Sequence, residues 1–563
     1  MKKIIAGLIG VSIFLTSCAT VQTKIGEVAM KFMTTKEKDL SKISAIGMYQ
    51  SNMYSTETGI TLGSKAEWDE GQNSVGVQLL KPDGAVGFIN LDGTVTVGGQ
   101  TATNFGGGVY MVMFEASDNS PKTVKVESSD GTVTEFKMTP APSLRIKSIN
   151  GTLDDAEIDM TQPLEIELEY DEAAKGKRVR VALITKAVGV KGFAFFQSAQ
   201  IAEKITIHPD AFKHKHINGG SPTGKDVTNW SLGDNYLQVS IVEDDRTNDG
   251  QPFSYFKRTS TSFDTKPVTL SGEVEGRSYI TAKDKIDAPN GTFSYLVNAS
   301  NAWYARPLNT NIERIGIASV SVEGVLYKQE SDSKTSETDY GAYKVISTTT
   351  TTTTWQFPQL DDTYWDQFLE NIYADLTGML RDEYGASVVD VDKITANPIY
   401  DEFYLPNDAN TEKYISKNLR DTKRLYPSSF GEILGDRKTS LIADADPMPR
   451  LLRDMDLDAI MTLAIDYRVA ADKDDKIVLL PLVSYKVVGQ TQAFDGQANT
   501  WLQGTIEGPG VSFSREEFSD LNALNRIGQK DRILDLIRQS VDEMTSRQDE
   551  FGYDHVWEVA LSN

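Results

Sequence analysis

An unbroken alternation of apolar and acidic residues runs through the stretch LEIELEY, Leu164–Tyr170. Successive side chains of a β-strand point to opposite faces of the sheet, so the apolar side chains of this stretch share one face and the glutamates share the other. One buried and one solvated face is typical of an antiparallel sheet. The stretch therefore predicts a half-buried β-strand, and with it a β-rich fold in this part of the chain.

Further strand-like segments follow this stretch, and together they predict a β-sandwich domain over residues 143–268. The segments are rich in β-branched and aromatic residues, which fit a pleated surface. They are Arg178–Thr185, Gly192–Ser198, Lys204–His208, Tyr236–Glu243 and Phe253–Thr261. The pattern resembles the immunoglobulin-like (Ig-like) modules of exported bacterial proteins, although the Cys–Trp–Cys signature of true immunoglobulin domains is absent. This resemblance implies a fold and no particular function.

A second β-sandwich is predicted upstream, over residues 42–140. Asx-Gly dipeptides between short apolar runs indicate hairpins, because glycine accepts the positive φ of the turn, and Asp83-Gly84, Asp92-Gly93 and Asp130-Gly131 supply them. Pro140-Ala141-Pro142 predicts a rigid joint to the next domain. The predicted strands are Val75–Leu80, Ala85–Leu91, Gly93–Val97, Gly108–Ala116, Thr123–Ser128 and Gly131–Met138. The residues expected on one buried face are Val124, Val126, Val133, Phe136 and Met138.

The chain changes character from about residue 272 onward. Apolar residues recur at three- and four-residue spacing through Thr363–Tyr384, which predicts an amphipathic helix ended by Gly385, and Arg532–Glu550 predicts a second one. The predicted strands are Ile312–Tyr327, Ala342–Phe357, Ser387–Val391, Leu457–Val469, Asp475–Val488 and Asn499–Glu507, with a short helix near Met448–Met455. This order predicts an α/β (α+β) domain over residues 272–563. The expected fold class is therefore multidomain, with N-terminal all-β sandwiches followed by a C-terminal α/β domain.

One phrase in this C-terminal part carries a family resemblance. Met455-Asp456-Leu457-Asp458-Ala459-Ile460-Met461-Thr462-Leu463 is similar to the segment in which a short helix runs into a central strand in the CsgG / TolB-N-terminal / LpoB family of envelope domains. The resemblance covers residues 312–560. It implies an assembly or regulatory factor of the cell envelope. The members of this family are not, as a class, hydrolases.

A run of hydroxyl residues, Ser347 and then Thr348–Thr354, is compatible with a strand because threonine is β-branched. We expect it to pair with Val320–Tyr327 as a long hairpin. In CsgG-like channels, inserted hairpins build a membrane barrel, but a lipid-facing strand needs alternating apolar residues, which this run lacks. A soluble, projecting hairpin is therefore expected.

The amino terminus has the parts of an export signal. Met1–Lys3 is basic, and Ile4–Phe14 is apolar but too short for a membrane-spanning helix, which takes about 20 residues. Leu15-Thr16-Ser17-Cys18 follows and resembles a lipobox, which implies that residues 1–17 are a cleaved signal peptide and that Cys18 is acylated. Residues 18–41 would then form a lipidated tether. A plain secretory signal is the alternative, but Cys18 is the only cysteine in the chain.

The predicted lipid and the charge of the chain set its expected location and partners. Two or three acyl chains hold a protein durably on a membrane. Besides this covalent lipid, no cofactor is expected. Ala19, rather than an aspartate, follows the cysteine, which implies the outer membrane, with the protein facing the periplasm. A formal net charge of −23 argues against nucleic acid as a partner, because phosphate binding needs clustered Lys and Arg.

Three of the four histidines lie in one short segment and form, with an aspartate, a weak candidate for a metal site. His214 and His216 would share one side of a strand, and His208 and Asp210 would complete a zinc-like set. Lysines lie between these residues, and their charge disfavours a bound cation. We therefore expect a surface loop and no metal.

A cluster of carboxylates near a glycine was compared with a calcium-binding loop. Asp245, Thr247, Asp249 and Gly250 match its positions 1, 3, 5 and 6, but position 12 is Phe256 where the loop needs a glutamate. A solvated hairpin tip is therefore expected.

No catalytic site can be assigned from the sequence. A Gly-x-Ser-x-Gly elbow, a phosphate-binding loop and a His-Glu-x-x-His helix are all absent, and nothing selects a glycosidase pair among the 80 acidic residues. We expect a non-enzymatic envelope lipoprotein that acts as a structural, assembly or protein-binding factor, with another envelope protein or its own copies as partner. The alternative is a glycan- or peptide-binding, adhesive lipoprotein that uses the sandwich loops. Clustering of Trp230, Tyr236 and Tyr255 on one face would favour the alternative, and apolar exposure in the C-terminal part would favour protein docking.

Overall fold

The computed structural model describes residues 34–53, 71–82, 87–187, 190–214, 216–217, 233–274, 280–300, 302, 312–339, 341, 343–403, 413–425, 447–472, 474, 476–490 and 498–556. Cys18 and the predicted signal peptide lie outside the described residues. So do Asp83-Gly84 and Trp230.

Strands dominate the described part of the chain. They are β1 Thr34–Glu37, β2 Ser44–Met53, β3 Gln72–Leu80, β4 Phe88–Leu91, β5 Gly93–Val97, β6 Gln100–Thr101, β7 Thr103–Gly106, β8 Val109–Phe114, β9 Lys122–Ser128, β10 Val133–Met138, β11 Leu144–Ile149, β12 Ala156–Asp159, β13 Leu164–Tyr170, β14 Arg178–Ala187, β15 Val190–Gln200, β16 Lys204–Ile207, β17 His216–Ile217, β18 Gly233–Asp245, β19 Tyr255–Ser271, β20 Ile280–Ala288, β21 Gly291–Ala299, β22 Arg314–Val325, β23 Tyr327–Asp339, β24 Lys344–Gln356, β25 Ser387–Val389, β26 Tyr414–Asn418, β27 Ala459–Ala471, β28 Ile477–Gln490, β29 Ala498–Glu507 and β30 Val511–Ser512. This content confirms the prediction of a β-rich chain.

Helices are few among the described residues. The α-helices are α1 Asp362–Asp382, α2 Val391–Thr395, α3 Pro447–Asp454, α4 Ala523–Ile527 and α5 Lys530–Glu550, and the 3-10 helices are Leu40–Lys42, Glu172–Ala174, Pro209–His214, Pro398–Glu402 and Arg515–Ser519. Asp361 begins α1 by accepting a hydrogen bond from the backbone N–H of Thr363 at 3.0 Å. Gly385 follows this helix with a φ of 69°, a conformation that glycine adopts without strain. None of the described helices is long and apolar enough to cross a membrane.

The N-terminal part contains two sheets packed on each other. A four-stranded sheet in the order β10-β9-β5-β6 covers one end of a twelve-stranded sheet, whose main path is β1-β4-β3-β2-β19-β18-β14-β15-β17. The core between them contains Tyr49, Val75, Val124, Phe136 and Phe256. Face-to-face packing of this kind is a β-sandwich.

Two details of the first predicted sandwich differ from expectation. Asp130-Gly131 does join the antiparallel strands β9 and β10, but Asp92-Gly93 does not make a hairpin. Here β4 pairs within the large sheet and β5 within the small one, so the dipeptide carries the chain from one layer to the other. Val133 is also exposed, because it lies out of phase by one residue with Phe136 and Met138, which are buried.

The large sheet runs through both predicted sandwich domains. Strand β2 pairs in parallel with β19, from Ser44 opposite Tyr255 to Ser51 opposite Ser262. The boundary predicted at Pro140–Pro142 therefore separates segments that share one sheet. Strand β1, which pairs with β4, also falls within the predicted tether 18–41, so the folded part begins earlier in the sequence than expected. A three-stranded sheet, β11-β13-β16, contains the LEIELEY stretch, with the apolar side chains Leu164, Ile166 and Leu168 buried as predicted.

The C-terminal part is organised around a nine-stranded mixed sheet in the main order β20-β21-β29-β28-β27-β22-β25. Strand β22 is parallel to β27 and β25, whereas β27, β28 and β29 are antiparallel. Helices α1 and α5 bury the apolar faces predicted for them, with Trp365, Phe368, Ile537 and Val541 all nearly inaccessible. The short helix α3 runs into the central strand β27, as the Met455–Leu463 phrase predicts.

One continuous hydrophobic cluster reaches from the second sheet region into the C-terminal part. It includes Leu164, Phe212, Phe293, Ile537 and Tyr553. The two parts of the molecule are therefore packed together and share buried apolar surface.

The threonine run forms a hairpin, but with a different partner from the one expected. Strand β24 pairs with β23 from Tyr327 opposite Gln356 to Asp339 opposite Lys344. The expected partner segment Val320–Tyr327 lies mostly in β22, which pairs with β27 on one side and β26 on the other in the nine-stranded sheet. The predicted pairing is wrong because β23 is exposed on both faces beyond its root, so its sequence lacks the apolar alternation that indicates a strand.

Candidate functional site

The β23–β24 hairpin is fixed at its root by the hydrophobic core. Leu326, Trp355 and Phe357 are buried and belong to the main cluster. The backbone N–H of Phe357 donates to the carbonyl of Leu326 at 2.9 Å. The Phe357 ring also packs against Phe518 at a centroid distance of 5.5 Å. The direction of the hairpin is therefore set by packed residues at its base.

Beyond this root the hairpin has water on both faces. Every residue from Gln329 to Asp339 and from Lys344 to Thr354 is exposed. Thirteen residues in each strand correspond to a length of roughly 40 Å. The two strands form a sheet of their own and pair with no other described strand.

Cross-strand hydroxyl contacts organise one face of the hairpin. The hydroxyls of Ser331 and Thr352 are 3.0 Å apart, those of Ser333 and Thr350 2.9 Å, and those of Thr335 and Thr348 3.1 Å. Opposed threonine and serine side chains are among the pairs that stabilise antiparallel strands. They help to keep an isolated two-stranded ribbon in register, although it has no hydrophobic face.

The two edges of the hairpin differ in charge. Strand β23 carries two lysines and four carboxylates, whereas the only charged residue of β24 is Lys344 at its start. Proteins commonly protect exposed sheet edges with charges or proline, because unpaired backbone groups recruit other strands. The stretch Ser347–Thr354 has neither, so the β24 edge is an open site for strand pairing.

Apolar side chains are exposed at the tip of the hairpin. Tyr343 and Ile346 are 63% and 65% exposed, and Val345, which lies between them in the sequence, is 41% exposed. Of the eight exposed large apolar side chains among the described residues, six lie after residue 290, and these three are at the tip. Apolar exposure is therefore concentrated in the C-terminal part.

A second cluster brings two of the predicted metal-site residues together with a histidine from the far end of the chain. Nδ1 of His555 lies 2.7 Å from Oδ2 of Asp210, and Nδ1 of His208 lies 3.4 Å from the same oxygen. The two imidazole rings stack with centroids 3.6 Å apart. One potential ligand atom from each residue lies within 4.8 Å of the others.

Lys213 also contacts this cluster. Its Nζ lies 2.5 Å from Oδ1 of Asp210, the carboxylate oxygen that the histidines do not contact. Burial raises the pKa of the Asp210 carboxyl, but the ion pair with Lys213 and the hydrogen bond from His555 outweigh it, so the pKa lies below its ordinary value. Asp210 is therefore a carboxylate at neutral pH.

The other two predicted metal-site residues lie elsewhere. His214 ends the 3-10 helix Pro209–His214 and is buried, with its Nε2 2.8 Å from the carbonyl oxygen of Phe551 and its ring against Tyr553. It is not on a strand with His216, which begins β17. His555 has no local sequence signal that links it to Asp210, because the two residues are 345 positions apart in the chain.

The carboxylates of the calcium-like loop are neutralised by basic side chains. Arg258 Nη2 lies 2.6 Å from Asp245 and 2.7 Å from Asp249, and Lys257 lies 3.4 Å from Asp244. Strands β18 and β19 pair up to Asp245 opposite Arg258, so the segment is the tip of a hairpin, as predicted.

The aromatic residues proposed for glycan binding do not come together where the structure describes them. In the β18–β19 ladder, Tyr236 is opposite Pro267, whereas Tyr255 lies twelve residues along β19 from that point. Twelve residues of strand span roughly 40 Å. Trp230 lies outside the described residues.

No protein-family model matches the chain, and no curated protein matches its sequence. Solved structures with some likeness include the fibronectin(III)-like modules of Clostridium thermocellum CbhA (10% identity, 41% of this chain, 92% of that chain, TM-score 0.13). Another is SGBP-B of the Bacteroides ovatus mixed-linkage glucan utilization locus with a mixed-linkage heptasaccharide (11%, 61%, 89%, 0.11). A third is a Ca²⁺-stabilized adhesin with which an Antarctic bacterium binds ice (10%, 55%, 73%, 0.12).

Proposed function

We propose that this protein is a non-enzymatic, lipid-anchored assembly factor of the bacterial envelope, which associates with further copies of itself through the β24 edge of its projecting hairpin. The observation that carries the proposal is a rigidly rooted, two-stranded hairpin that is exposed on both faces at Gln329–Asp339 and Lys344–Thr354. An isolated two-stranded ribbon gains little stability in water. The hairpin of a second copy alongside it would form hydrogen bonds with the backbone N–H and C=O groups that a single copy leaves exposed to solvent.

A second copy of the chain is the partner that the sequence of the edge fits. Ser347–Thr354 is uncharged, so two such edges approach without repulsion although the whole chain carries a net charge of −23. Threonine opposite threonine is a favourable cross-strand pair, and a run of threonines produces it in several registers. The run is therefore complementary to itself.

The predicted anchor makes weak association sufficient. Acylation of Cys18 would confine copies to a membrane surface, where a tethered binding event takes place at an effective concentration on the order of millimolar. The sandwich domains would hold the C-terminal α/β domain and its hairpin away from the bilayer. The resemblance of residues 312–560 to envelope assembly domains supports the same role.

The test compares two double variants of the full-length protein on lipid vesicles by chemical cross-linking. Thr351→Lys with Thr353→Lys places lysines opposite Asp332 and Glu330, so attraction across the hairpin maintains its fold while the outer edge becomes cationic. Thr351→Ser with Thr353→Ser is the matched uncharged control. We expect dimers for the wild type and the serine variant, and their loss in the lysine variant. A monomeric wild type, or dimers that persist in the lysine variant, would overturn the proposal.

A further inference from the structure

The joint between the N-terminal sheets and the end of the chain contains a set of side chains typical of metal sites. His208 and Asp210 lie at the start of the 3-10 helix that follows β16, and His555 lies just after α5. The three residues each offer one ligand atom, and these atoms lie within 4.8 Å of one another. Ligand atoms bound about 2.0–2.1 Å from a tetrahedral zinc ion lie roughly 3.4 Å apart, so binding would draw the three atoms closer and turn the stacked rings of His208 and His555 towards one ion.

The chemistry of the donors favours a zinc-like ion. Two imidazoles and one carboxylate are the ligand types that Zn²⁺ takes in protein sites, with water in the fourth position. Calcium and magnesium prefer sets made of oxygen alone. His208 Nδ1 accepts a hydrogen bond from the backbone N–H of Asp210 at 3.2 Å, so this nitrogen is unprotonated, and a metal bound through it would replace that hydrogen bond.

Two features of the surroundings hold the three residues together. The backbone of Gly552 passes so close to Asp210 that a β-carbon at this glycine would lie 2.7 Å from the carboxylate, and its φ is 72°. His214 Nε2 lies 2.8 Å from the carbonyl oxygen of Phe551 on the same segment. The end of α5 is therefore docked on the 208–214 segment, and the contact between His214 and Phe551 involves none of the proposed ligand atoms.

Lys213 is the one basic side chain that the structure shows in contact with Asp210 besides the two histidines. It contacts Oδ1, which leaves Oδ2 directed at the two histidines. Its side chain is 38% exposed, so it can turn into solvent when a cation approaches. Its charge lowers the affinity of the site for a cation, and its removal should raise that affinity.

We propose that His208, Asp210 and His555 form a binding site for one zinc-class divalent ion, which fastens the end of the chain to the N-terminal sheets. This site is independent of the hairpin and of the self-association proposed above. A bound ion would add coordinate bonds across a joint that links residues 345 positions apart.

The test is titration of the metal-free, full-length protein with Zn²⁺, followed by calorimetry, with thermal unfolding as a second readout. We expect one ion per chain and an unfolding temperature that rises with zinc concentration, because the ion binds the folded state. His555→Gln should weaken binding by at least about 10-fold, the loss typical even of groups that only support a ligand. Lys213→Met should tighten it.

The matched control is His216→Gln, which removes a histidine and leaves the three proposed ligands unchanged. It should bind zinc as the wild type does. If His555→Gln unfolds, X-ray absorption of the zinc-loaded wild type replaces it, with two imidazoles and a carboxylate expected around the ion. Absence of saturable binding, equal binding by His555→Gln, or loss in His216→Gln alone would overturn the proposal.

Discussion

If two copies associate through their β24 edges, single cysteines on the two strands of the hairpin should behave differently. Thr350 on β24 and Ser333 on β23 are directly opposite each other, and both are exposed. In a four-stranded arrangement of two hairpins with the β24 strands at the centre, the order of strands is β23-β24-β24-β23. A cysteine near position 350 then lies one strand spacing, about 4.8 Å, from its copy. A cysteine at position 333 lies three spacings, roughly 14 Å, from its copy.

These distances fall on opposite sides of the limit for a disulfide. Two cysteines are bridged when their Cα atoms are about 4.4–6.8 Å apart. Cysteine at each position from 347 to 353, tested one at a time to allow for register, should therefore give an oxidised dimer at one position at least, and Ser333→Cys should not.

The assay is mild oxidation of the full-length variants on lipid vesicles, followed by electrophoresis without reductant. The wild type, whose one cysteine is Cys18, provides the background. Equal dimer formation by Ser333→Cys and the best β24 variant would refute the arrangement, since it would indicate random collision. Failure of all seven β24 positions would refute it as well.

Three further perturbations have defined outcomes. Cys18→Ser should move the protein from the membrane fraction to the soluble fraction, and a clickable fatty acid should label the wild type but not the variant. Phe357→Ala should cost about 3–5 kcal/mol of unfolding free energy in urea titrations, because the ring is 1% exposed among aromatic neighbours, whereas Tyr343→Ala at the exposed tip should cost far less. Lys122 and Ser120 lower the pKa of Asp118 to about 2, so the stability from this carboxylate is present above its unfolded pKa near 3.8 and is lost as the pH falls towards 2. Asp118→Asn should reduce the fall in the urea midpoint between pH 5 and pH 2.5, and an unchanged fall would contradict this assignment.

Hydrophobic periodicity predicted the strands and helices that have one buried and one exposed face. It located most strands within a few residues. The LEIELEY strand and the buried faces of α1 and α5 were predicted because burial of one face imposes a pattern on the sequence. Val133 was predicted to be buried but is exposed, because a shift of one residue along a strand moves a side chain to the opposite face of the sheet. Only the ladder with β9 determines which residues of β10 are buried.

Local turn signals could not establish which strands pair. Asp92-Gly93 has the composition of a hairpin turn, yet it connects two sheets, because the packing of the layers outweighs the preference of the dipeptide. The β23 strand was missed for a related reason. Both of its faces are solvated, so burial imposes no apolar alternation on residues 329–339.

Two of the three residues of the candidate metal site were predicted from the sequence. His208 and Asp210 lie two residues apart, but the third ligand is His555, and only the docking of the end of α5 brings it near. His214 and His216 were expected to share one side of a strand, but His214 ends the 3-10 helix Pro209–His214.

Hydrogen exchange at the β24 backbone tests the central claim most directly. Strand pairing along an edge protects amides that face solvent in a single hairpin. For full-length protein on vesicles, raising its surface density should slow exchange in Ser347–Thr354 and leave the exchange of Gln329–Asp339 unchanged. Exchange in Ser347–Thr354 that stays fast at every density would contradict association through this edge.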